Sequence, residues 1–327
     1  MHICPSRHNF LASLGGMMTS LLFCRCRAFA SPLSATSSRF QLSVITDEIT
    51  QDFGHALEIA SREFGLFHVE LRTLWNKNII NLDEKETAEV RRLLQKYELQ
   101  VTDIASPLFK TDWAGAPKSK YSPEKPQFGA DYTFAQQEEV LERSIGIAKA
   151  LGCNRIRCFD FWRLEDPQPF RAAMDEKLRD TARAVAPSKI SLLLENEFAC
   201  NTATGAEAAR TLQAVPSPNF LLNWDPGNAA YRGETAFPDG FEKLPKERIG
   251  HMHCKDVYKS PDGKTEWAPM GKGIVDWLGQ FRALKHDGYS GALSLETRRR
   301  LKGGTPEEST RQSMAGMKEL LRTASAL

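Results

Sequence analysis

The sequence predicts a single (β/α)8 barrel behind a short N-terminal extension. Three observations predict it. From Phe40 onward, short apolar runs of strand character alternate with segments of helical period, and eight such strands appear. A barrel of this kind takes about 250 residues, so one barrel plus an extension accounts for 327 residues, 41% of them hydrophobic. No glycine-rich phosphate loop follows the first strand, which leaves the open doubly wound sheet without support. No composition shift divides the repeating part. The expected division is 1–30 for the extension and 40–327 for the barrel.

The elements follow in order. FQLSVITDEI, from Phe40, reads as the first strand. Residues 52–64 place Phe53, Ala56, Leu57, Ala60 and Phe64 on one helical face, and Gly65 is the stop. FHVELR is the second strand. Asp83 opens a helix with Glu86 at capping-box spacing, and Val90, Leu93, Leu94 and Tyr97 form its apolar side. QVTDIAS is the third strand. A polar stretch then runs from Pro107 to Tyr132. Loops of this length are usually functional or disordered. On a catalytic rim, Trp113 and Phe109 are placed to cover a substrate; a surface insertion packed on itself is the alternative.

The alternation resumes with a helix over 138–151 and the strand NRIRCFDF. A helix over 170–185 leads to SLLLENE, one over 205–214 to NFLLNWD, and a shorter piece near Phe241 to RIGHMHCKD. Residues 275–285 form a helix with Trp277, Leu278, Phe281 and Leu284 inward, and GALSLET is the eighth strand. Thr305-Pro306-Glu307-Glu308 opens the last helix, with threonine as cap and proline at the first position.

Residues 1–30 read as an export signal. Ser6-Arg7-His8-Asn9-Phe10-Leu11 has the layout of a twin-arginine motif with His8 in place of the second arginine. An apolar stretch from Phe10 to Phe23, interrupted by Gly15 and Gly16, precedes the small-x-small pattern Ala28-Phe29-Ala30. The run is shorter than the roughly 20 residues a membrane span needs. The expected location is therefore exported or periplasmic, and cytoplasmic if the signal does not function. Three of the 43 basic residues (Arg7, Arg25, Arg27) and none of the 41 acidic ones lie there, so the remainder is close to neutral. No basic stripe points to nucleic acid. Cys153, Cys158, Cys200 and Cys254 lie beyond the signal with no CxxC pair. They read as small buried residues, with one disulfide open to an exported protein.

The chemistry sits in the second half. Glu195 in LLLENE, Asp225 in LLNWDPGN, His253 in IGHMHCKD and Glu296 in ALSLET each stand at or near the C-terminal end of a strand. A ring of parallel strands brings those ends to one rim. Alternation puts His251, His253 and Lys255 on one strand face, and Glu195 and Glu197 on one face of theirs, so Glu197 stays open beside Glu195 as a ligand. A buried carboxylate is costly unless paired or metal-bound. Two glutamates, an aspartate and a histidine meeting on the rim make a divalent metal site. Such donors suit Mn2+ or Mg2+ first, with Co2+ and Zn2+ compatible. Singly, each residue has a plainer role. Asp225 in DPGN is strong turn chemistry, either histidine fits a core, and Lys255 is either a substrate contact or the partner of a rim carboxylate.

The segments ENE, NWDPGN, HMHCKD, PMGKGIVDW and SGALSLET, with the early stretch SVITDEITQDFGHALEIASREFGLFHVELR, resemble the sugar phosphate isomerase/epimerase family, the xylose isomerase-like TIM barrels. The similarity covers residues 40–300. It implies metal ligands Glu195, Asp225, His253 and Glu296. It also implies that Glu195 and Glu296 act as the acid/base pair on opposite faces of a substrate, as in the family's ketose epimerases. Those epimerases place a histidine three residues after the aspartate, where Asn228 stands, and an arginine six residues after the metal histidine, where Lys259 stands. Asn228, Lys259, Lys255 and Trp113 are the substrate-contact candidates. The family's apurinic-site endonucleases hold three zinc ions in a histidine-rich cluster, whereas only His55, His68, His251, His253 and His286 lie outside the signal.

The expected function is a divalent-metal-dependent isomerase or epimerase acting on a sugar, sugar phosphate or polyol ketone through an enediolate. An enediolate with a leaving group beside it eliminates instead. The second reading is thus a lyase or dehydratase acting on a keto-sugar, an inosose or a 3-keto-glycoside. A barrel that binds carbohydrate without turnover is the third. The expected partner is a small carbohydrate, with the oligomeric state open.

Overall fold

The computed structural model describes residues 40–125, 127–129 and 131–327. The export-signal reading of residues 1–30 lies outside them. Eight parallel strands make the barrel: β1 Gln41–Val44, β2 His68–Leu71, β3 Gln100–Leu108, β4 Arg155–Cys158, β5 Ser191–Glu195, β6 Phe220–Trp224, β7 Ile249–Cys254 and β8 Ala292–Leu295. From β2 to β8 each pairs with the next in sequence, and β8 pairs with β1. The seam between β1 and β2 is joined by one parallel bridge, Ile45 to Glu70. Outward strand residues such as Leu71, Ile104, Ile156, Leu194 and Leu293 are fully buried in one apolar core.

The helices are α1 Phe53–Glu58, α2 Glu84–Lys96, α3 Gln137–Ala150, α4 Gln168–Val185, α5 Gly205–Ala214, α6 Pro226–Tyr231, α7 Trp277–His286 and α8 Pro306–Thr323. Reciprocal capping boxes open α2 (Asp83 with Glu86), α5 (Thr204 with Glu207) and α8 (Thr305 with Glu308). Each satisfies backbone N–H groups that the helix itself leaves without partners. No described helix is long and apolar enough to cross a membrane.

Three local expectations are corrected. The first strand stops at Val44, and Thr46–Glu48 form a 3-10 turn, because Asp47 and Glu48 are drawn onto Arg72 at 2.8 and 2.6 Å. The first helix is not one α-helix over 52–64. It ends at Glu58, and Ile59–Glu63 widen into a π-turn in which the Phe64 N–H reaches the Ile59 carbonyl, keeping Ile59, Ala60 and Phe64 buried. DPGN starts a helix rather than a simple turn, with Asp225 as N-cap and Pro226 in the first position. Cys153, Cys158, Cys200 and Cys254 are the small buried residues expected, all free, with no disulfide among them; burial pushes the Cys153 thiol up to about 12.

Two hairpins extend the rim beyond what strand periodicity shows. One pairs Thr73–Leu74 with Lys77–Asn78, and the other pairs Asp256–Lys259 with Thr265–Ala268. In the long segment after β3, Phe109 packs on Phe161, and Trp113 sets its edge against Phe134 and Phe161.

Candidate active site

One donor atom from each of Glu195, Asp225, His253 and Glu296 lies within 4.8 Å of the others, and all four residues are buried. Local structure sets each one. Glu195 is the last residue of β5. The next residue, Asn196, staples it to Asp225: its amide donates to the Asp225 carbonyl (2.9 Å) and its oxygen accepts the Asp225 N–H (2.7 Å). Asp225 turns one oxygen to the Asn228 N–H to cap α6 (2.9 Å) and the other toward Lys255 Nζ (2.7 Å). Gly227 is required here, since a Cβ would lie 2.6 Å from Lys255 Cγ. Glu296 follows β8 and accepts from Arg72 (2.7 Å) and Lys255 (2.5 Å). Arg157 holds Glu195 at 3.1 Å and is anchored by the carbonyls of Ala105 and Ser106.

His253 joins this cluster to a deeper layer. Its Nε2 lies 3.0 Å from Glu70 Oε1. Burial disfavours the Glu70 charge, but His253, through its charge and its hydrogen bond, outweighs it and holds the carboxyl down to about 2. A carboxylate cannot donate, so Nε2 carries a proton toward Glu70. Burial opposes a charge on the ring, but Glu70 and Glu195 outweigh it and hold the imidazole well above its ordinary range. That Nδ1 lies 3.3, 3.6 and 3.4 Å from oxygens of Glu195, Asp225 and Glu296, yet no hydrogen bond to any of them satisfies it. His251 rests below, against Asn223 and Thr102, and burial lowers it to about 3, so it is neutral. The triad Glu70, His251 and His253 therefore reads as hydrogen-bonded support for the rim. Glu70→Gln removes the charge that orients His253 and should weaken Mn2+ binding about 10–100-fold by calorimetric titration. An unchanged affinity would show that Glu70 does not position the ring.

Burial also shapes the carboxylates. It opposes ionisation of Glu195, but His253 and Arg157 prevail and the carboxyl is lowered. Glu296 is lowered against the same burial by Lys255, His253 and Arg72. For Asp225, burial prevails over Lys255 and raises it. Asp103, paired in register with Glu70, is a different case. Neither of its oxygens has a hydrogen-bond partner, and burial followed by the Glu70 charge pushes it up to about 8.

A raised acid binds its proton more tightly folded than unfolded. Its stabilising share is present below about pH 4 and is lost as pH rises to about 8. Asp103→Asn should therefore gain stability over the parent protein across that window, on the order of a few kcal/mol at about 1.4 kcal/mol per pKa unit, with a flat difference above it. Urea unfolding at pH 5, 7 and 8.5 reads the difference. Parallel pH profiles for the two proteins would refute it.

The other sequence candidates lie as follows. Lys255 sits among the ligands. Asn228 is buried beside them, donating to Glu195 (3.2 Å) and Asp225 (3.0 Å). Glu197 turns to Lys110 at 3.3 Å rather than into the cluster. Lys259 is exposed and reaches Thr265 across its hairpin. Trp113 helps line a cavity of about 380 Å³ that also touches Lys110, Trp162 and Phe134. Sequence reasoning missed Asp47, Glu48, Glu70, Arg72 and Arg157. The available signal was charge at inward positions of otherwise apolar strands, Glu70 and Arg72 in VELR and Arg157 in RIRC.

The donor set fits a divalent cation. Nδ1 of His253 is a buried nitrogen facing three carboxylates with no hydrogen-bond partner, a place an ion would fill once the ring gives up its second proton. Six buried carboxylates (Asp47, Glu48, Glu70, Glu195, Asp225, Glu296) meet four lysine or arginine cations (Arg72, Arg157, Lys255, Arg300), an excess of two negative charges of which the His253 imidazolium offsets one. Buried charge left unbalanced is costly.

A parallel barrel with such a cluster at the C-terminal ends of its strands has the layout of a barrel enzyme, whose sites occupy that face. The profile of the family described as "Xylose isomerase-like TIM barrel" matches residues 59–320, and the chain belongs to that family. A curated relative, the putative L-ribulose-5-phosphate 3-epimerase SgbU of Escherichia coli K12, is 26% identical over 164 residues, 48% of this chain and 56% of that protein. The chain thus spans little more than half the length of the curated relatives it matches. Among solved structures, the IolI protein with a bound zinc atom superposes with TM-score 0.68 at 16% identity, covering 88% of this chain and 98% of that one. The probable 3-DHS dehydratase AsbF of Bacillus anthracis superposes with TM-score 0.64 at 20% identity, covering 86% and 98%.

Proposed function

We propose that this chain is a divalent-metal-dependent isomerase or epimerase acting on a sugar, sugar phosphate or polyol ketone through an enediolate. The observation that carries the reading is the convergence of Glu195, Asp225 and Glu296 on the unpartnered Nδ1 of buried His253. Those four side chains would hold the ion. When bound, it supplies Lewis-acid polarisation of a carbonyl oxygen.

The remaining work falls to the protein. Glu195 and Glu296 come from β5 and β8, separated by two strands around the ring, and both are kept ionised, the form that takes a proton. Arg157 and Arg72 fix the direction of each carboxylate. Lys255 places a positive charge between Asp225 and Glu296, where negative charge develops on a substrate oxygen. The similarity to the putative L-ribulose-5-phosphate 3-epimerase SgbU supports a sugar substrate.

A second reading, elimination, is supported by the same lysine. Its ammonium, 2.5 Å from Glu296, is a donor next to the proposed base and can protonate a departing oxygen. Product NMR in deuterated water separates the two. Deuterium uptake without loss of mass identifies isomerisation, and release of water or an alcohol identifies elimination. Purified protein that binds metal but catalyses neither on any keto-sugar would defeat both.

A further inference from the structure

Three arginines in a row, Arg298, Arg299 and Arg300, follow Glu296 and Thr297. Glu48 pins this segment. One Glu48 oxygen holds Arg72 (2.6 Å), and the other accepts the Arg298 N–H (3.1 Å) and the Arg300 guanidinium (3.0 Å). Arg298 sits there at φ 52°, in the left-handed region that a bulky side chain rarely adopts. Strain of that kind persists where the surroundings fix it, and it gathers at ligand contacts.

The Arg298 guanidinium lies beside the ligand cluster. Its carbon is 5.3 Å from the centre of the Phe128 ring and 5.7 Å from that of Trp267, on the hairpin that grows from β7. The Phe128 ring is in turn 4.1 Å from the Arg72 guanidinium carbon, and the Trp267 ring 5.1 Å from Lys255 Nζ. Arg72 and Lys255 both bind Glu296, at 2.7 and 2.5 Å. Two separate rings thus set Arg298 one ring's breadth from the cluster.

The other cations near it are taken. Arg72, Arg157, Lys255, Lys110 and Arg300 each pair with a carboxylate. Arg299 donates to Gln312, and Lys259 is tied to Thr265. Among the described residues, the Arg298 guanidinium has no hydrogen-bond acceptor and no carboxylate within ion-pair reach. It is half-buried, and its planar fork of N–H donors stands beside the cluster without a partner.

We propose that Arg298 is a specificity-determining residue that receives an anionic group of the substrate, a phosphate monoester or a carboxylate, carried on the carbon chain away from the reacting carbonyl. The proposal rests on the metal-dependent keto-sugar reading and deepens it. The guanidinium fork matches either oxyanion with two parallel N–H···O bonds, and such charge-assisted bonds are strong. The flanking rings hold the guanidinium in place, since a cation within about 6 Å of an aromatic face is attracted to it. The spacing also has a use. An anion held a ring's breadth from the Glu195–Asp225–His253–Glu296 cluster does not compete with the carbonyl for the ion there.

The test measures binding to full-length, Mg2+-loaded protein by calorimetry with two matched pairs of ketones: L-ribulose 5-phosphate against L-ribulose, and D-fructuronate against D-fructose. In at least one pair the anionic member should bind about tenfold more tightly or better than its neutral counterpart. The pair that shows the preference identifies the group as phosphate or carboxylate. Arg298→Gln should abolish the preference while leaving the affinities for Mg2+ and for the neutral ketose unchanged. Arg298→Gly, which removes the fork and accepts the positive φ, should do the same. Equal or undetectable binding within both pairs, or a preference that survives either variant, overturns the proposal. An Arg298-dependent preference without hydrogen exchange or elimination on any of these ketones would defeat the catalytic reading and leave this one standing. Exchange on the neutral ketoses with no preference for the anionic ones would do the reverse.

Discussion

Glu296→Gln is expected to lower turnover by about 10²–10⁴-fold, the range that a positioned proton-transfer group supplies. The amide keeps the shape but cannot take up a proton at neutral pH. It also removes one negative charge from the ligand cluster, so the metal affinity falls as well, and the comparison must be made at saturating Mg2+. Glu195→Gln should behave alike, but the two variants should differ in stereochemistry. If Glu195 and Glu296 serve opposite faces, the variant that keeps the abstracting carboxylate still exchanges the hydrogen it removes, and returns it to the face it came from. Exchange then survives while inversion is lost. The other variant loses both. NMR in deuterated water follows exchange and inversion together. A Glu296→Gln protein with parental turnover at saturating metal would remove Glu296 from the proton path and leave it at most a ligand.

The four residues that converge at the rim could be read in the sequence because each is a polar residue closing an apolar run, and a barrel turns sequence order into a rim. The residues that hold those ligands could not be read in the same way. Arg72, Arg157 and Glu70 sit inside strands, where one charged residue resembles a solvated edge until the strand is known to line a barrel interior. Asp47 and Glu48 read as the end of the first strand, FQLSVITDEI. Their departure from the ladder depends on Arg72, a partner 24 and 25 residues away, and local propensity carries no trace of such a contact. Asp225 shows how a correct local signal can mislead. Asp-Pro-Gly-Asn does favour chain reversal, but aspartate followed by proline is also a helix start, and the packing of Gly227 on Lys255 selects the helix. The hairpin carrying Trp267 had a readable turn in Ser260-Pro261-Asp262-Gly263, yet it begins so close to β7 that HMHCKD reads as one strand.

Arg72→Met is expected to be the most damaging single change to stability among the residues discussed. The arginine is almost wholly buried and binds three carboxylates at once, Asp47 at 2.8 Å, Glu48 at 2.6 Å and Glu296 at 2.7 Å. Those partners come from the turn after β1 and from the end of β8, while Arg72 itself follows β2. The cluster therefore spans the seam where β1 and β2 share only the Ile45–Glu70 bridge. Ionic contacts at this point do the joining that ladder hydrogen bonds do between the other strands. Removing one partner of a buried pair typically costs about 3–5 kcal/mol, because the charges left behind stay desolvated. Lysine should rescue little, since a single ammonium cannot replace a planar fork that serves three acceptors. Arg92→Met, at an exposed pair on α2, should change stability by less than about 0.5 kcal/mol under the same urea titration. Mg2+ should recover part of the Arg72→Met loss, because an ion that binds only the folded state offsets charge on the Glu296 side. It should do nothing for Asp47 and Glu48, so recovery stays incomplete. A variant within about 1 kcal/mol of the parent protein would mean that the seam is held by its apolar neighbours and that the ion cluster is tolerated rather than required.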